Sequence, residues 1–206
     1  MIVERLKEYK IISILRGIPA ERVSEVAGAL YEGGVRTIEI TFNTEGAEQM
    51  IREVKARFGD RMIVGAGTVL DAETARTAIL AGADFMLSPS LDEGMVRMCC
   101  RYGKVAVPGT FTPTEMVKAV ECGAQIVKLF PASFAGPGYI RQVRGPLDHI
   151  DIMAVGGVSL DNYLDFLRAG ACTVGIGSEL VNVKTLGAAD ALCKITDTAR
   201  RFTSQL

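Results

Sequence analysis

The chain of 206 residues can bury one sizeable core, and its 49% hydrophobic and 23% charged residues are typical of a compact globular protein, so we expect a single domain over residues 1–206. Its 23 basic and 24 acidic residues give a net charge of −1 without charge runs, which argues against nucleic acid or an anionic membrane as partner. No apolar run reaches the ~20 residues of a membrane span and the start, MIVERLKEYK, does not resemble a signal peptide, so we expect a cytoplasmic protein with small-molecule partners.

Along the chain, segments with helical spacing end in glycine and give way to short apolar strands. The stretches LYEGGVRTIEI, ILAGADFML and VECGAQIVKLF show this pattern. A glycine just past a helix supplies the left-handed cap that lets the chain reverse into the next strand. Such glycines recur at roughly 20 to 25 residues, about the length of one strand, one helix and two short loops. They are Gly34, Gly59, Gly82, Gly103, Gly123, Gly145 and Gly170.

Seven such joints connect eight strands, which are rich in Ile, Val, Leu and Ala, as parallel strands covered on both faces are. We place them near residues 11–15, 36–41, 62–66, 84–87, 104–107, 125–129, 152–155 and 173–176. Helical spacing predicts helices over 20–32, 71–81, 113–122 and 159–169. Asp71 and Ser159 are candidate N-caps, and Pro113 followed by Glu115 is typical of a first helical turn.

Eight strand-helix units predict a single (β/α)8 TIM barrel. A doubly wound open sheet would show a similar alternation, but the strand count favours the barrel. The length lies near the short end of the range for such barrels, about 200 to over 400 residues. We therefore expect brief loops and an active site that is open or is completed by a neighbouring subunit.

Two opposite charges interrupt apolar strands near their carboxyl ends, where barrel enzymes carry their chemistry. Glu39 lies in TIEIT and Lys128 in IVKLF. They could form a buried ion pair, or the lysine could extend its stem to a wet rim. A lysine crowded by apolar groups instead loses solvation, so its pKa falls and its free amine can attack a carbonyl. We interpret Lys128 as a Schiff-base nucleophile and Glu39 as the acid/base that moves protons.

Glycines follow the seventh and eighth predicted strands, in VGGVS and GIGSE. The loops at these places form the usual phosphate site of the barrel, because glycine lets main-chain N–H groups come close to an anion. We assign this role to Gly156, Gly157 and Ser178. The alternative is that the glycines only make tight turns.

Arg16 ends the first predicted strand and is a natural partner for a substrate carboxylate. It could instead form a rim ion pair with Glu39 or Glu45. Thr68 and Pro89 follow the third and fourth strands, at the same end of the barrel.

Cysteine and histidine usage predicts neither a disulfide nor a metal site. The five cysteines lack CxxC spacing, and we interpret them as small core residues: Cys99, Cys100, Cys122, Cys172 and Cys193. The single histidine, His149, precedes a strand, so we place it at the opposite end of the barrel and give it no catalytic role.

With these residues in place, the chain resembles the family of 2-keto-3-deoxy-6-phosphogluconate (KDPG) and 2-keto-4-hydroxyglutarate (KHG) aldolases. The resemblance rests on the order and spacing of IEITFNTEGA, VGAGTVL, PGTFTPTE, VKLFPAS and VGGVSLDNY. It implies a trimeric (β/α)8 barrel, a keto-acid phosphate substrate, and catalysis through a lysine imine with no metal and no cofactor. It also implies roles for individual residues: Lys128 as the imine lysine, Glu39 as general base, Arg16, Thr68, Pro89 and Phe130 around the pyruvate half, and Gly156, Gly157 and Ser178 around the phosphate.

Two positions bear on the substrate. Many phosphogluconate-type members carry Thr where this chain has Val155, and an arginine where it has Asn43. Val and Asn are features of the 2-keto-3-deoxy-6-phosphogalactonate branch, so the C4 configuration of the substrate stays open. Two other readings use the same residues: a phosphosugar epimerase with Glu39 as base, and a non-catalytic phosphosugar sensor. Metal-dependent epimerases need histidines that this chain lacks.

Overall fold

The computed structural model describes all 206 residues, and nine parallel strands form its single sheet. In chain order the strands are β1 (Ile11–Leu15), β2 (Thr37–Thr41), β3 (Ile63–Gly67), β4 (Phe85–Leu87), β5 (Val105–Val107), β6 (Gly109–Thr110), β7 (Val127–Leu129), β8 (Ile152–Val155) and β9 (Ala171–Ile176). They are hydrogen-bonded in the order β5-β4-β3-β2-β1-β9-β8-β7-β6.

Nine helices accompany the sheet. They are α1 (Ile2–Tyr9), α2 (Val23–Glu32), α3 (Ala47–Phe58), α4 (Ala72–Ala81), α5 (Glu93–Arg101), α6 (Pro113–Glu121), α7 (Ala132–Arg144, interrupted at Gly136), α8 (Tyr163–Arg168) and α9 (Ala191–Thr203). Short 3-10 turns lie at Ala20–Arg22, Gly59–Arg61 and Val183–Thr185. In none of the helices is there a stretch that is both apolar enough and long enough to span a membrane.

The barrel closes through one strand that is divided at Pro108. Its first half, β5, pairs with β4, and its second half, β6, pairs with β7 so that Gly109 lies opposite Lys128. Proline has no N–H to donate to a sheet ladder, which interrupts the strand there. The carbonyl of Pro108 still accepts a 2.8 Å hydrogen bond from the N–H of Lys128. The predicted (β/α)8 barrel is confirmed, and its fifth strand extends beyond the predicted range 104–107 to Thr110.

Hydrophobic side chains fill two layers. Fifty-four buried residues form the layer between the sheet and the surrounding helices, and twelve form a second cluster inside the barrel. Alternation along a strand divides its side chains between the layers. In β1, Ile11 and Leu15 belong to the outer layer, whereas Ile12 and Ile14 belong to the inner one.

Helix α1 covers the end of the barrel where the strands begin. Its Leu6 is 1% exposed and joins the inner cluster, with Ile2, Val3 and Tyr9 packed against it. Lys7 of the same helix forms a salt bridge with Asp151, just before β8. The sequence pattern did not predict this helix, because it precedes the repeat of strands and helices.

Six of the seven predicted helix-to-strand glycines have a positive φ, as a left-handed cap requires. Gly145 does not: its φ is −55°. The link from α7 to β8 turns further on, through hydrogen bonds from the N–H of Leu147 to Val143 O and from the N–H of Ile150 to Leu147 O.

The predicted N-cap Asp71 accepts a 2.7 Å hydrogen bond from the N–H of Thr74, and Thr112 with Glu115 forms a capping box before Pro113. The prediction for Ser159 is wrong. Its N–H donates to the Asn162 side chain at 2.9 Å, so residues 159–162 form a turn and the helix begins at Tyr163.

The cysteines do not all lie in the core. Cys99 and Cys172 are buried and Cys122 is half-buried, but Cys100 in α5 and Cys193 in α9 are exposed. The interpretation as core residues is therefore wrong for these two. All five thiols are free.

Candidate active site

Lys128 and Glu39 are held inside the barrel by strand alternation. The neighbours of Lys128 in β7 and of Glu39 in β2 are apolar residues of the outer layer, so the two charged side chains face inward. Lys128 is only 4% exposed and Glu39 only 1%. A lysine this deeply buried does not reach a wet rim.

Burial shifts the pKa of each group toward its neutral form. Loss of hydration lowers the pKa of Lys128 below its usual value, the negative charge of Glu39 opposes this, and the positive charge of Arg16 reinforces it. Loss of hydration raises the pKa of Glu39, and the charges of Lys128 and Arg16 oppose this rise. The two groups form no salt bridge with each other, and Glu39 Oε2 has no hydrogen-bond partner. The arrangement is therefore not a closed buried ion pair.

Two neighbours fix the positions of these side chains. Gly67 of β3 leaves the space for the Glu39 carboxyl, since a Cβ there would stand 1.6 Å from Oε1 and 2.4 Å from Cδ. On the other strand, Lys128 Nζ lies 4.7 Å from the centre of the Phe130 ring. An ammonium group over an aromatic face is attracted by the ring quadrupole. This attraction orients the lysine side chain, which Glu39 does not contact.

A cavity of about 530 Å³ opens beyond β1, β8 and β9, at the end of the barrel where these strands finish. Five of the predicted binding residues line it: Arg16, Phe130, Gly156, Gly157 and Ser178. The side chains of Lys128 and Glu39 are not part of its wall. Phe130, which contacts Lys128, joins the cavity to the buried pair.

Gly156 and Gly157 both adopt left-handed backbone conformations, with φ of 94° and 72°. A side chain on either would collide with its surroundings. A Cβ on Gly156 would lie 3.2 Å from the Phe130 ring, and one on Gly157 would lie 2.5 Å from Cβ of Ser133. The pair therefore does more than make a tight turn, because its bare backbone forms one wall of the cavity.

Arg16 is exposed, and its guanidinium forms neither a salt bridge nor a hydrogen bond. The alternative ion pair with Glu39 or Glu45 is thus not formed. Its charge still influences the pKa values of both Lys128 and Glu39. An unpartnered cation close to the buried pair is suited to bind a carboxylate.

Thr68 and Pro89 follow β3 and β4 at the same end of the barrel, but neither lines the cavity. Thr68 has a φ of 56°, a left-handed conformation that is strained for a β-branched residue. Pro89 packs its main chain against Gly109, where a Cβ would stand 2.2 Å from the proline carbonyl. The structure thus brings together five of the predicted binding residues and leaves these two apart from them.

The sequence analysis assigned no binding role to several residues of the cavity, among them Ser159, Glu179, Asn182 and Lys184. They lie in the irregular segments that follow β8 and β9, where no hydrophobic periodicity predicts which side chains point toward the cavity. The one local signal is Asn182, whose side chain accepts a 3.0 Å hydrogen bond from the N–H of Lys184 and so starts the turn. His149 is exposed before β8, at the opposite end of the barrel, as predicted.

A parallel barrel with a buried lysine of lowered pKa, a buried carboxyl and an open cavity at the same end has the parts of an imine-forming lyase. The family model described as KDPG and KHG aldolase matches residues 2–197. The chain belongs to the KDPG and KHG aldolase family. It is an aldehyde-lyase, a class I aldolase.

Relatives of both substrate branches are similar to it. The 2-dehydro-3-deoxy-6-phosphogalactonate aldolase of Escherichia coli (strain K12) is 36% identical over 82% of this chain and 83% of its own length. The 2-dehydro-3-deoxy-phosphogluconate aldolase of Haemophilus influenzae is 34% identical over 90% of this chain and 87% of its own. Among solved structures, the one described as native KDPGal superimposes with a TM-score of 0.87 at 32% identity, covering 95% of this chain and 96% of that one.

Replacing Gly67 by Ala should reduce aldol cleavage about 100-fold, because the new methyl group displaces the Glu39 carboxyl and a shift of ~1 Å can cost that much. The melting temperature should change by only a few degrees, since the displaced group is the end of a flexible side chain. Pyruvate release and thermal unfolding measure the two effects. Gly28→Ala, at a position with nothing within 4 Å of the new Cβ, is the matched control. Full activity of Gly67→Ala would contradict the role given to this glycine.

Proposed function

We propose that the protein cleaves 2-keto-3-deoxy-6-phosphogluconate, or its galactonate epimer, between C3 and C4 into pyruvate and glyceraldehyde 3-phosphate. Cleavage of 2-keto-4-hydroxyglutarate into pyruvate and glyoxylate is a side activity of the same site. The observation that carries the proposal is the buried lysine of lowered pKa, unpaired, beside a cavity with a glycine-lined wall. One domain over residues 1–206 performs the reaction without cofactor or metal, and its phosphosugar substrate suits a cytoplasmic enzyme.

The reaction begins with the neutral amine of Lys128, which adds to the C2 ketone of the substrate. Loss of water gives a protonated imine, whose positive nitrogen accepts the electron pair of the C3–C4 bond as that bond breaks. Glu39 takes the proton of the C4 hydroxyl, which releases glyceraldehyde 3-phosphate and leaves an enamine on the lysine. Glu39 then gives a proton to C3 of the enamine. Water hydrolyses the resulting imine to pyruvate and the free amine.

The remaining predicted residues orient the substrate around this step. Arg16, a cation without a partner, holds the C1 carboxylate next to the imine carbon. Thr68, Pro89 and Phe130 surround the pyruvate half. The distant phosphate lies on the wall made by Gly156, Gly157 and Ser178, so that binding energy far from the reacting bond fixes its geometry.

Lys128→Ala and Glu39→Gln separate the two steps. With pyruvate and borohydride, which reduces an imine to a stable adduct, peptide mass spectrometry should map the adduct to Lys128 and find none in Lys128→Ala. Glu39→Gln should still form the adduct but exchange the methyl protons of pyruvate for deuterium at least about 100-fold more slowly, because exchange needs the acid/base.

Lys118→Ala, on the exposed face of α6, is the control and should match the parent protein in both measurements. Absence of any adduct in the parent, with phosphosugar binding intact, would overturn the aldolase mechanism in favour of the epimerase or the sensor.

The galactonate epimer is a second candidate substrate, and Val155 favours it. This residue lines the cavity directly before Gly156 and is 3% exposed, so it presents methyl groups where many gluconate-type members of the family have a threonine hydroxyl. Asn43, exposed after β2, is the other feature of the galactonate branch.

We expect a higher kcat/KM for the galactonate epimer, with Val155→Thr shifting the ratio toward the gluconate epimer by about fivefold, the worth of one modest hydrogen bond. Pyruvate release from each purified epimer measures this ratio. A parent protein that prefers the gluconate epimer would make that compound the substrate instead.

We also propose that the protein is a homotrimer, as the family resemblance implies. Phe134 is 85% exposed immediately after Ser133, which packs under Gly157, and aromatic residues are enriched at interfaces between protein chains. Light scattering should give three times the 22.1 kDa of one chain. Phe134→Glu should shift the protein toward monomers, and a parent protein that is itself monomeric contradicts the proposal.

A further inference from the structure

We propose that Lys184 binds the phosphate of the substrate and sets the preference of the enzyme for phosphorylated over unphosphorylated aldehydes. Neither the sequence motifs nor the family resemblance pointed to this residue. The inference rests on the proposed function and deepens it, because it names the charged group that recognises the remote end of the substrate.

Lys184 lines the same cavity as Gly156, Gly157 and Ser178. Its side chain is exposed, and its ammonium group forms no salt bridge and no hydrogen bond with the protein. Most lysines on a protein surface have no such surroundings. Here a lysine without a partner lines the same cavity as a stretch of backbone left bare by two left-handed glycines.

The turn that carries this lysine is fixed at both ends. The Asn182 side chain accepts a 3.0 Å hydrogen bond from the N–H of Lys184, and Thr185 Oγ1 donates to the carbonyl of Asn182 at 3.0 Å. Leu186 is buried, and its carbonyl accepts a 3.1 Å hydrogen bond from Arg22. The lysine is therefore presented from a fixed main chain, which reduces the entropy lost when it binds an anion.

Two cationic residues, Arg16 and Lys184, line the cavity. The charge of Arg16 shifts the pKa values of both Lys128 and Glu39. Along the chain, Arg16 directly follows β1, whereas Lys184 lies in the 3-10 turn Val183–Thr185 beyond β9. Glu179 is the one carboxylate among the lining residues, against Arg16 and Lys184, so the wall carries a net positive charge.

The proposed substrate carries a carboxylate at one end and a phosphate at the other, so it has one anionic group for each of the two cations. Main-chain N–H groups near the glycines supply hydrogen bonds but no full charge. An ammonium group adds a point charge, which attracts a phosphate dianion strongly and a neutral hydroxyl only weakly. An aldehyde without phosphate consequently gains nothing from Lys184.

The first test is calorimetric binding of glycerol 3-phosphate, a probe that carries the phosphate and cannot react. Lys184→Met keeps the apolar stem and removes the charge, and its affinity should fall about tenfold, as expected for one hydrogen bond to a charged group. Lys184→Arg should retain most of the affinity. Lys194→Met is the matched control, because Lys194 already pairs with Asp190 at 2.8 Å and lies outside the cavity wall.

Equal affinity of Lys184→Met and the parent protein would overturn the inference, and so would a parent protein that does not bind the probe. A similar loss in Lys194→Met would also overturn it, since the effect would then be a general one of net charge.

The second test runs the reaction toward synthesis, from pyruvate with glyceraldehyde 3-phosphate or with glyceraldehyde. In Lys184→Met the kcat/KM for the phosphorylated aldehyde should fall about tenfold and that for glyceraldehyde should not change. Equal losses for both would assign Lys184 a structural role and overturn the inference. Trapping of pyruvate on Lys128 with borohydride keeps the two proposals apart: no adduct in the parent protein rejects the aldolase mechanism, whereas a normal adduct with an unchanged preference rejects only the role of Lys184.

Discussion

Inside the barrel, two groups of opposite charge are kept from water and also kept from contact with each other. Had Lys128 and Glu39 formed a closed ion pair, each would have held the other in its charged form, and a protonated amine is no nucleophile. Burial without contact has the opposite effect, because it lowers the pKa of the amine and raises that of the carboxyl. The proposed imine chemistry needs a neutral amine, so it depends on the two side chains being kept out of contact with each other.

Local sequence patterns predicted most of the barrel because every unit has the same requirement. The chain must reverse its direction at the end of a helix and continue as a buried strand. The prediction failed at the two places where the chain makes this turn in a different way. Gly145 precedes a link that reverses later in the chain, and Ser159 lies in a turn that Asn162 holds before α8 begins. Helix α1 has no preceding strand, so it is not part of the repeat. Its role is evident only from the structure, in which Leu6 belongs to the inner cluster.

Within the site, the sequence was informative wherever a residue conflicted with its surroundings. Lys128 and Glu39 are charged residues inside apolar strands, so they can be recognised as unusual without knowledge of the tertiary structure. Lys184 carries no such conflict, because a lysine in a polar loop looks like any other until the fold places it on the cavity wall. The left-handed φ of Thr68 is likewise invisible in the sequence, since threonine is a residue that seldom adopts it.

Glycines give a narrow barrel the space for long inward side chains. At Gly65 of β3 a Cβ would lie 2.3 Å from the Phe85 ring, and at Gly67, two residues further along the same strand, it would meet the Glu39 carboxyl. Gly175 of β9 makes room in the same way for the end of Met153. The first and last of these spaces are filled by apolar groups, and only Gly67 admits a carboxylate. In β3, Gly65 thus makes room for an apolar ring, and Gly67, the next inward position toward the carboxyl end, makes room for the Glu39 carboxyl. The same small residue therefore serves core packing at one position and the proposed acid/base at the next.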